Sequence, residues 1–482
     1  MANSLKRKFL NGFIWNLADK IVSQFAYLGV MLYIARLIGP EAFGLVGMLT
    51  VFMLITESIV SNGFSQALVQ RSNELTEDDS STIFYVNLIF GVVIYTLLYF
   101  SSPLISSFYN EAELTNIARV LFLVVIINSL TVVVRAKLII KVDFKSQAIS
   151  SFIATIISSL LGFYLAVTGY SYWSLVYLIL CKSIINNTMM WFFCNWFPKL
   201  IFNKDSLRKL FKFGSNLMLA GLIATLYKNI YIILLGRFFD SGKVGYFTQA
   251  TNLTNFLSAL ISSTLQSVTY PLLTEVKANR IKLVNIYTQL IAVTMMASIP
   301  VLVGFSAVSE TFVHIFLGDD WLPAIVVIKL LCLSRAITPI SSINMNILNA
   351  IGRSDLFLKV DLLKIPIVIL AIVIALPYGI VGVSVAIVIT SIISFFINAY
   401  YPGKLFSFGV KEQLRISKNY IISALLMYVC VEYVVFEDLW LTLTSKLFVG
   451  AFIYVASLLL LKDKMAFKVI ANLYKIINKY RN

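Results

Sequence analysis

Long apolar runs alternate with short polar connectors along this chain, and charge sits almost entirely in the connectors. About fourteen runs reach the roughly 20 residues that a helix needs to cross a bilayer. They fall at 12–35, 43–66, 82–106, 116–138, 147–168, 172–196, 212–236, 245–271, 284–308, 323–349, 358–377, 379–401, 418–436 and 441–461. Two pairs are divided only by Thr168-Gly169-Tyr170 and by Pro377-Tyr378-Gly379, uncharged turns that suit helical hairpins. The pattern predicts an all-α integral membrane protein with about fourteen transmembrane helices. Two pseudo-symmetric six-helix lobes would occupy 1–200 and 205–402, with two extra C-terminal helices and a basic tail in 403–482.

Composition supports this reading. The chain is 59% hydrophobic and 13% charged, with a mean hydropathy of +0.87, whereas soluble domains carry about 25% charged residues. A net charge of +16 raises the possibility of nucleic acid, but its distribution argues otherwise. About 29 of the 39 Lys and Arg residues fall in every second connector, the pattern of the positive-inside rule. Acids such as Glu111, Glu113, Asp319, Asp320, Glu437 and Asp438 gather in the other connectors. Both termini are therefore expected in the cytoplasm, and no nucleic-acid partner is expected.

The four cysteines (Cys181, Cys194, Cys332, Cys430) lie inside apolar runs without metal-ligand spacing and read as small buried hydrophobes. His314, near the outer end of a span, reads as interfacial. No connector exceeds about twenty residues, so there is no extramembrane domain to hold a soluble active site, and no enzyme or metal is expected. The first apolar run is too long for a cleaved leader and lacks a small-residue cleavage site.

An internal repeat runs through the chain. The segment Arg36 to Gly44 is echoed by Arg237 to Gly245, with the same Arg-to-Gly interval and an offset of 201 residues. Arg119 to Leu123 likewise matches Lys329 to Leu333, and each leads into a basic connector, Lys141-Val142-Asp143 or Arg353-Ser354-Asp355. Six spans separate the copies, so they share an orientation. Parallel repeats of this kind are a transporter design with substrate bound between the halves.

Polar residues inside apolar runs mark candidate functional faces. Span one carries Asn16, Lys20, Gln24 and Tyr27 at helical spacing, with Asp19 and Ser23 alongside. Span two carries Glu57, Ser58, Ser61, Asn62, Ser65 and Gln66; span eight carries Thr248, Asn252, Asn255, Ser262, Gln266 and Thr269. Span ten carries Arg335, Thr338, Ser342, Asn346 and Asn349, while spans five, nine, eleven and twelve show no such face. Interhelical hydrogen bonding would explain any single stripe. A shared cavity better explains why the stripes fall on repeat-equivalent spans.

Arg119 and Lys329 lie near the outer surface and can snorkel. Lys20, Lys182, Lys228 and Arg335 sit deeper and outnumber the acids Asp19 and Glu57, so a net positive cavity suited to a phosphate or pyrophosphate is expected. Two roles are open for Asp19 and Glu57: taking up H⁺ or Na⁺ as coupling ion, or neutralising a cavity lysine.

The stretch Ala35 to Met48 resembles the first-loop signature of Wzx-type polysaccharide flippases, which handle O-antigen, exopolysaccharide or teichuronic acid units. Ala67-Leu68-Val69-Gln70-Arg71, Val244 to Ala250, Thr269 to Leu273 and Phe316 to Trp321 are similar to further motifs of that group, in the same order. The resemblance implies the multidrug/oligosaccharidyl-lipid/polysaccharide exporter superfamily, with two six-helix lobes, alternating access and a cationic lumen. It also implies a bacterial inner membrane location and an undecaprenyl-pyrophosphate-linked oligosaccharide as substrate. Membrane lipids and polysaccharide polymerase or assembly proteins are the implied partners. By similarity to lipid II flippases, spans thirteen and fourteen would form a groove for the polyprenyl tail. An ion-coupled multidrug or metabolite exporter on the same fold is the alternative, and it predicts a lumen rich in acids and aromatics.

Overall fold

The computed structural model describes the backbone of residues 2–72, 75–276, 279–469 and 471; side chains are described from Gln24 onward, apart from 61–63 and scattered positions within 206–220 and 264–275. The described residues are helical, with no strand. In chain order the α-helices are α1 Ala2–Glu57, α2 Gly63–Gln70, α3 Glu77–Tyr109, α4 Leu114–Leu121, α5 Leu123–Ser129 and α6 Val132–Ile140. They continue as α7 Phe144–Val167, α8 Tyr172–Cys194, α9 Lys204–Phe238, α10 Ser241–Val276 and α11 Arg280–Phe316. The last are α12 Ala324–Ala350, α13 Ser354–Ala375, α14 Gly379–Phe406, α15 Val410–Glu432 and α16 Leu439–Leu460.

Ten helices among the described residues are long and apolar enough to cross a membrane, or eleven if the bent pair Leu114–Ser129 and Val132–Ile140 is one span. The sequence reading expects fourteen, and the difference has a physical origin. Spans one and two run on as one element, but Gly39 (φ 78, ψ 174) breaks the helical path and Pro40 follows it. Spans eleven and twelve likewise count as one stretch, Ser354–Phe406. Between them lies the short turn Leu376–Tyr378, followed by Gly379 at φ 74. Span eight, now α10, is not among the ten because its polar stripe dilutes its apolarity. The other uncharged break is a hairpin turn with Gly169 at φ 88, a backbone state that costs a glycine little.

Helix starts follow local chemistry. Thr76 caps α3 in a capping box with Asp79, whose carboxylate accepts from the Thr76 amide at 3.0 Å, and Glu77, Asp78 and Asp79 face the helix dipole. Asp143, Asn279 and Asp438 cap α7, α11 and α16, each side-chain oxygen accepting from the backbone amide three residues on.

The chain forms two compact units, residues 1–245 and 246–482. In the first, α7 lies against α1 and α8, and α9 packs on α1, α2 and α3. Its core joins Phe64 and Leu68 of α2, Ile83 and Phe84 of α3, and Val132, Val133 and Ala136 of α6. In the second unit α11 contacts α12, α15 and α16, around Tyr287, Ile291, Ile343 and Tyr420. Large apolar side chains stay exposed on outer faces, among them Leu97 and Phe100 of α3 and Phe448, Phe452 and Leu460 of α16. So much exposed apolar surface requires a lipid environment.

The two copies of the repeat motif meet within the first unit. A Cβ on Gly44 would collide with the Ser241 carbonyl, and one on Gly245 with the Pro40 carbonyl. Only glycine permits this backbone approach. Beside it Asp240 starts α10: its carboxylate accepts from the Lys243 amide at 2.9 Å and from Lys243 Nζ at 2.7 Å. Partial burial pulls the Asp240 carboxyl upward, but the Lys243 hydrogen bonds outweigh it and hold the group below the usual carboxylate range.

Candidate functional site

The first unit encloses a polar interior where α1 ends. Glu57 closes α1, and the chain then turns through one π-helical stretch, Ser58–Asn62, before α2 begins. A π-turn shifts the register of the side chains that follow, and such turns concentrate at functional positions. Glu57 lines three cavities of about 30, 220 and 680 Å³. All three share Asn128, and the two larger ones share Arg135. The largest is further lined by Gln147, Lys182, Ser183 and Asn186, and the middle one by Ser65, Gln66 and Asn187.

Hydrogen bonds hold part of this lining in place. Asn128 Oδ1 accepts from Ser183 Oγ at 2.6 Å and from Asn187 Nδ2 at 3.4 Å, and Asn187 also donates to the Ile127 carbonyl at 2.8 Å. These bonds tie α5 to α8. Lys182 Nζ stands 3.9 Å from the centre of the Tyr27 ring, a cation–π contact that holds its ammonium near the cavity. Among the described residues neither Glu57 nor Arg135 has an ion-pair partner. Among the described residues the lining carries two cations and one acid, with amides and hydroxyls between them.

Of the residues singled out from sequence, Lys182 and Glu57 come together here. Gln24 and Lys228 are exposed on α1 and α9 and do not line these cavities. Asn252 and Asn255 are exposed on α10, and the half-buried Arg335 on α12 accepts from Ser258 Oγ through its carbonyl at 3.1 Å. The side chains of Asn16, Asp19, Lys20 and Gln266 lie outside the described residues.

Arg135 is the residue sequence reasoning misplaced. It falls within the apolar run 116–138, but beside Lys137, Lys141 and Lys145 it reads as the start of a cytoplasmic connector. In the structure it lies inside α6 and faces the cavities. The signal was its helical spacing from Asn128 and Thr131 within an apolar run. A second correction concerns spans eleven and twelve. Lys364 of α13 is 9% exposed, pairs with Asp361 at 2.6 Å and donates to Asn398 of α14 at 3.1 Å. Asp361 and Lys364 sit with Asp355 and Lys359 in the first half of α13 and read as the edge of a basic connector rather than as a polar stripe.

Other charges have structural partners. Arg119 donates from Nε to Ser102 at 3.1 Å and lies over Tyr99; Lys329 pairs with Glu432 at 3.4 Å; His314 meets Asp319 at 2.7 Å. Lys137 pairs with Glu77 at 2.7 Å, and the same carboxylate accepts from the Trp196 indole. All four cysteines are free, and Cys430 is exposed rather than buried because it lies on an outward face of α15.

Residues 33–326 match the family model described as polysaccharide biosynthesis protein. The teichuronic acid biosynthesis protein TuaB of Bacillus subtilis (strain 168) is 25% identical over 365 residues, covering 73% of each chain. The lipopolysaccharide biosynthesis protein WzxC of Escherichia coli (strain K12) is 24% identical over 399 residues, 81% of this chain and 80% of that one. Among solved structures, the lipid II flippase MurJ in its inward closed conformation aligns with a TM-score of 0.76 at 18% identity, over 94% of this chain and 99% of that one. At that identity the likeness is one of fold.

Proposed function

The chain belongs to the polysaccharide biosynthesis protein family, and on that premise we propose that it flips an undecaprenyl-pyrophosphate-linked oligosaccharide unit from the cytoplasmic to the periplasmic leaflet by alternating access. The observation that carries this reading to the residues is the first-unit cavity, whose two cations and several amides suit an anionic glycan. Arg135 offers a fork of donors to a phosphate or sugar carboxylate, and Lys182 offers a compact charge. Asn128, Gln147 and Asn186 offer amides that can hydrogen-bond sugar hydroxyls. Lys228 and Arg335 extend the same chemistry, and Lys20, Asn16, Gln24, Asn252, Asn255 and Gln266 complete the set of proposed lumen contacts. Glu57 and Asp19 are the proposed acceptors of a coupling H⁺ or Na⁺, since a carboxylate in a wet intramembrane cavity changes charge or coordination with the ion gradient.

The test is a deletion strain of the source organism. Accumulation of a lipid-linked oligosaccharide at the inner leaflet, cleared by restoring the gene, is the expected result. Normal surface polysaccharide with altered sensitivity to toxic cations would overturn it and place the chain with the drug exporters. The cation surplus in the cavity lining weighs against that outcome, because cationic drugs call for acids and aromatics.

A further inference from the structure

The flipping reading makes no use of the connector between α8 and α9, residues 195–203. It is irregular rather than helical, yet it is pinned along its length to the start of α3. The Lys199 amide donates to Ser81 Oγ at 3.0 Å, and the Asn203 amide to Thr82 Oγ1 at 3.0 Å. The Trp196 indole donates to Glu77 at 2.7 Å, and its ring lies 4.6 Å from Lys137 Nζ and 6.1 Å from the Phe84 ring. With Trp196 turned inward and the backbone held, the apolar side chains that follow point away from the unit. Phe197 is 76% exposed, Leu200 93% and Phe202 53%. Three large apolar side chains displayed together on a connector mark a contact surface.

The pins also set the height of this surface. Thr82 opens the apolar run 82–106, so the connector lies where α3 enters the hydrocarbon. Its apolar side chains continue a lipid-facing surface, because Phe192 is exposed on α8 and the Phe197 ring lies 5.9 Å from that of Trp191. Lys199, Lys204 and Arg208 stand exposed beside them.

We propose that this connector is a membrane-surface anchor. Phe197, Leu200 and Phe202 lie in the headgroup–acyl boundary of the leaflet at the basic connectors, and Lys199, Lys204 and Arg208 reach the lipid phosphates. Large apolar residues interleaved with cations at this level are what an interfacial segment needs. A face for docking another protein would be a compact patch, whereas this string runs along the membrane boundary and joins a face already turned to lipid.

The test is fluorescence quenching on the full chain in lipid nanodiscs. The four natural cysteines are replaced by alanine, and a bimane label is placed through Leu200→Cys or, as a second probe, Phe197→Cys. Leu97→Cys, exposed midway along α3, gives the hydrocarbon reference, and Glu437→Cys, in an exposed connector, gives the aqueous one. A lipid nitroxide near the headgroup should quench both connector probes about twofold or more strongly than a nitroxide near the chain end. The Leu97 probe should show the reverse order. Aqueous iodide should quench the connector probes less than the Glu437 probe. Iodide quenching equal to that at Glu437, with no quenching by either lipid nitroxide, would leave the connector in water and overturn the anchor. Protection from both iodide and the lipid nitroxides would mean that a protein surface covers the string, and would overturn it equally.

Discussion

A buried or half-buried charge in a lipid environment has to be paired, hydrated or used. Lys364 is paired, through Asp361 and Asn398. Arg135 has no ion-pair partner among the described residues, and it lines two cavities. Arg135→Ala should therefore lower glycan export at least about tenfold, the equivalent of one charge-assisted hydrogen bond. Membrane abundance should stay near wild type because no ion pair is broken. Lys182→Ala should behave alike, and Arg135→Lys should restore part of the activity. Export at the wild-type rate in both alanine variants would remove the cavity from the transport path. Asp240 makes a contrasting case, with a structural role and a predictable pH dependence. As the cap of α10 it contributes about 1 kcal/mol, so Asp240→Ala should melt earlier than wild type at neutral pH. Its carboxyl titrates below its unfolded value. The stabilisation is therefore complete above the unfolded carboxylate pKa and fades as pH falls through the lower, folded one. A melting difference that persisted unchanged in strong acid would contradict the cap assignment.

Helices and their breaks follow from sequence where one residue type does one job. Thr76 with Asp79, Asp143 and Asp438 mark helix starts, and Gly169 and Gly379 mark turns, because each supplies a group or a backbone state that few residues can. What was not legible is which elements touch. The echo of Arg36–Gly44 in Arg237–Gly245 is visible in the letters, but nothing in them says that one copy packs against the other. The same gap hid Arg135, whose neighbours in sequence are connector lysines and whose neighbours in space are Glu57 and Asn128. The Gly44–Gly245 approach gives an element-scale prediction. A side chain on Gly44 must push the backbone at Ser241 aside, and overpacking of this kind costs about 1–3 kcal/mol. Gly44→Leu should melt several degrees lower and accumulate less in the membrane. Gly29→Leu is the control, since a Cβ there meets nothing within 4 Å. Equal melting of the two variants would remove the close approach.

At the scale of the whole molecule, the distribution of charge orients the chain and also reports the parity of its spans. Lys6, Arg7 and Lys8 precede the first span, and Lys475, Lys479 and Arg481 follow the last. If both basic ends lie in the cytoplasm, the number of crossings is even. That condition separates fourteen spans from a count of eleven, and fourteen is reached when α1 and the stretch Ser354–Phe406 each cross twice and α10 crosses as well. The breaks at Gly39 and at Leu376–Tyr378 supply the turns that two crossings require. The acidic connectors at Asp319-Asp320 and Glu437-Asp438 should then face the opposite side from the ends. Reporter fusions measure this directly. Green fluorescent protein fused after Asn482 should fluoresce, because it folds on the cytoplasmic side, and alkaline phosphatase fused there should be inactive. Truncation at Asp438 should reverse both signals, since one span fewer then precedes the reporter. Active phosphatase after Asn482 would make the crossing number odd if the basic N-terminus stays inside. The fourteen-span topology would then fall, and the same reporters placed after Gly44 and after Gly245 decide whether the two copies share the orientation on which the alternating-access proposal rests.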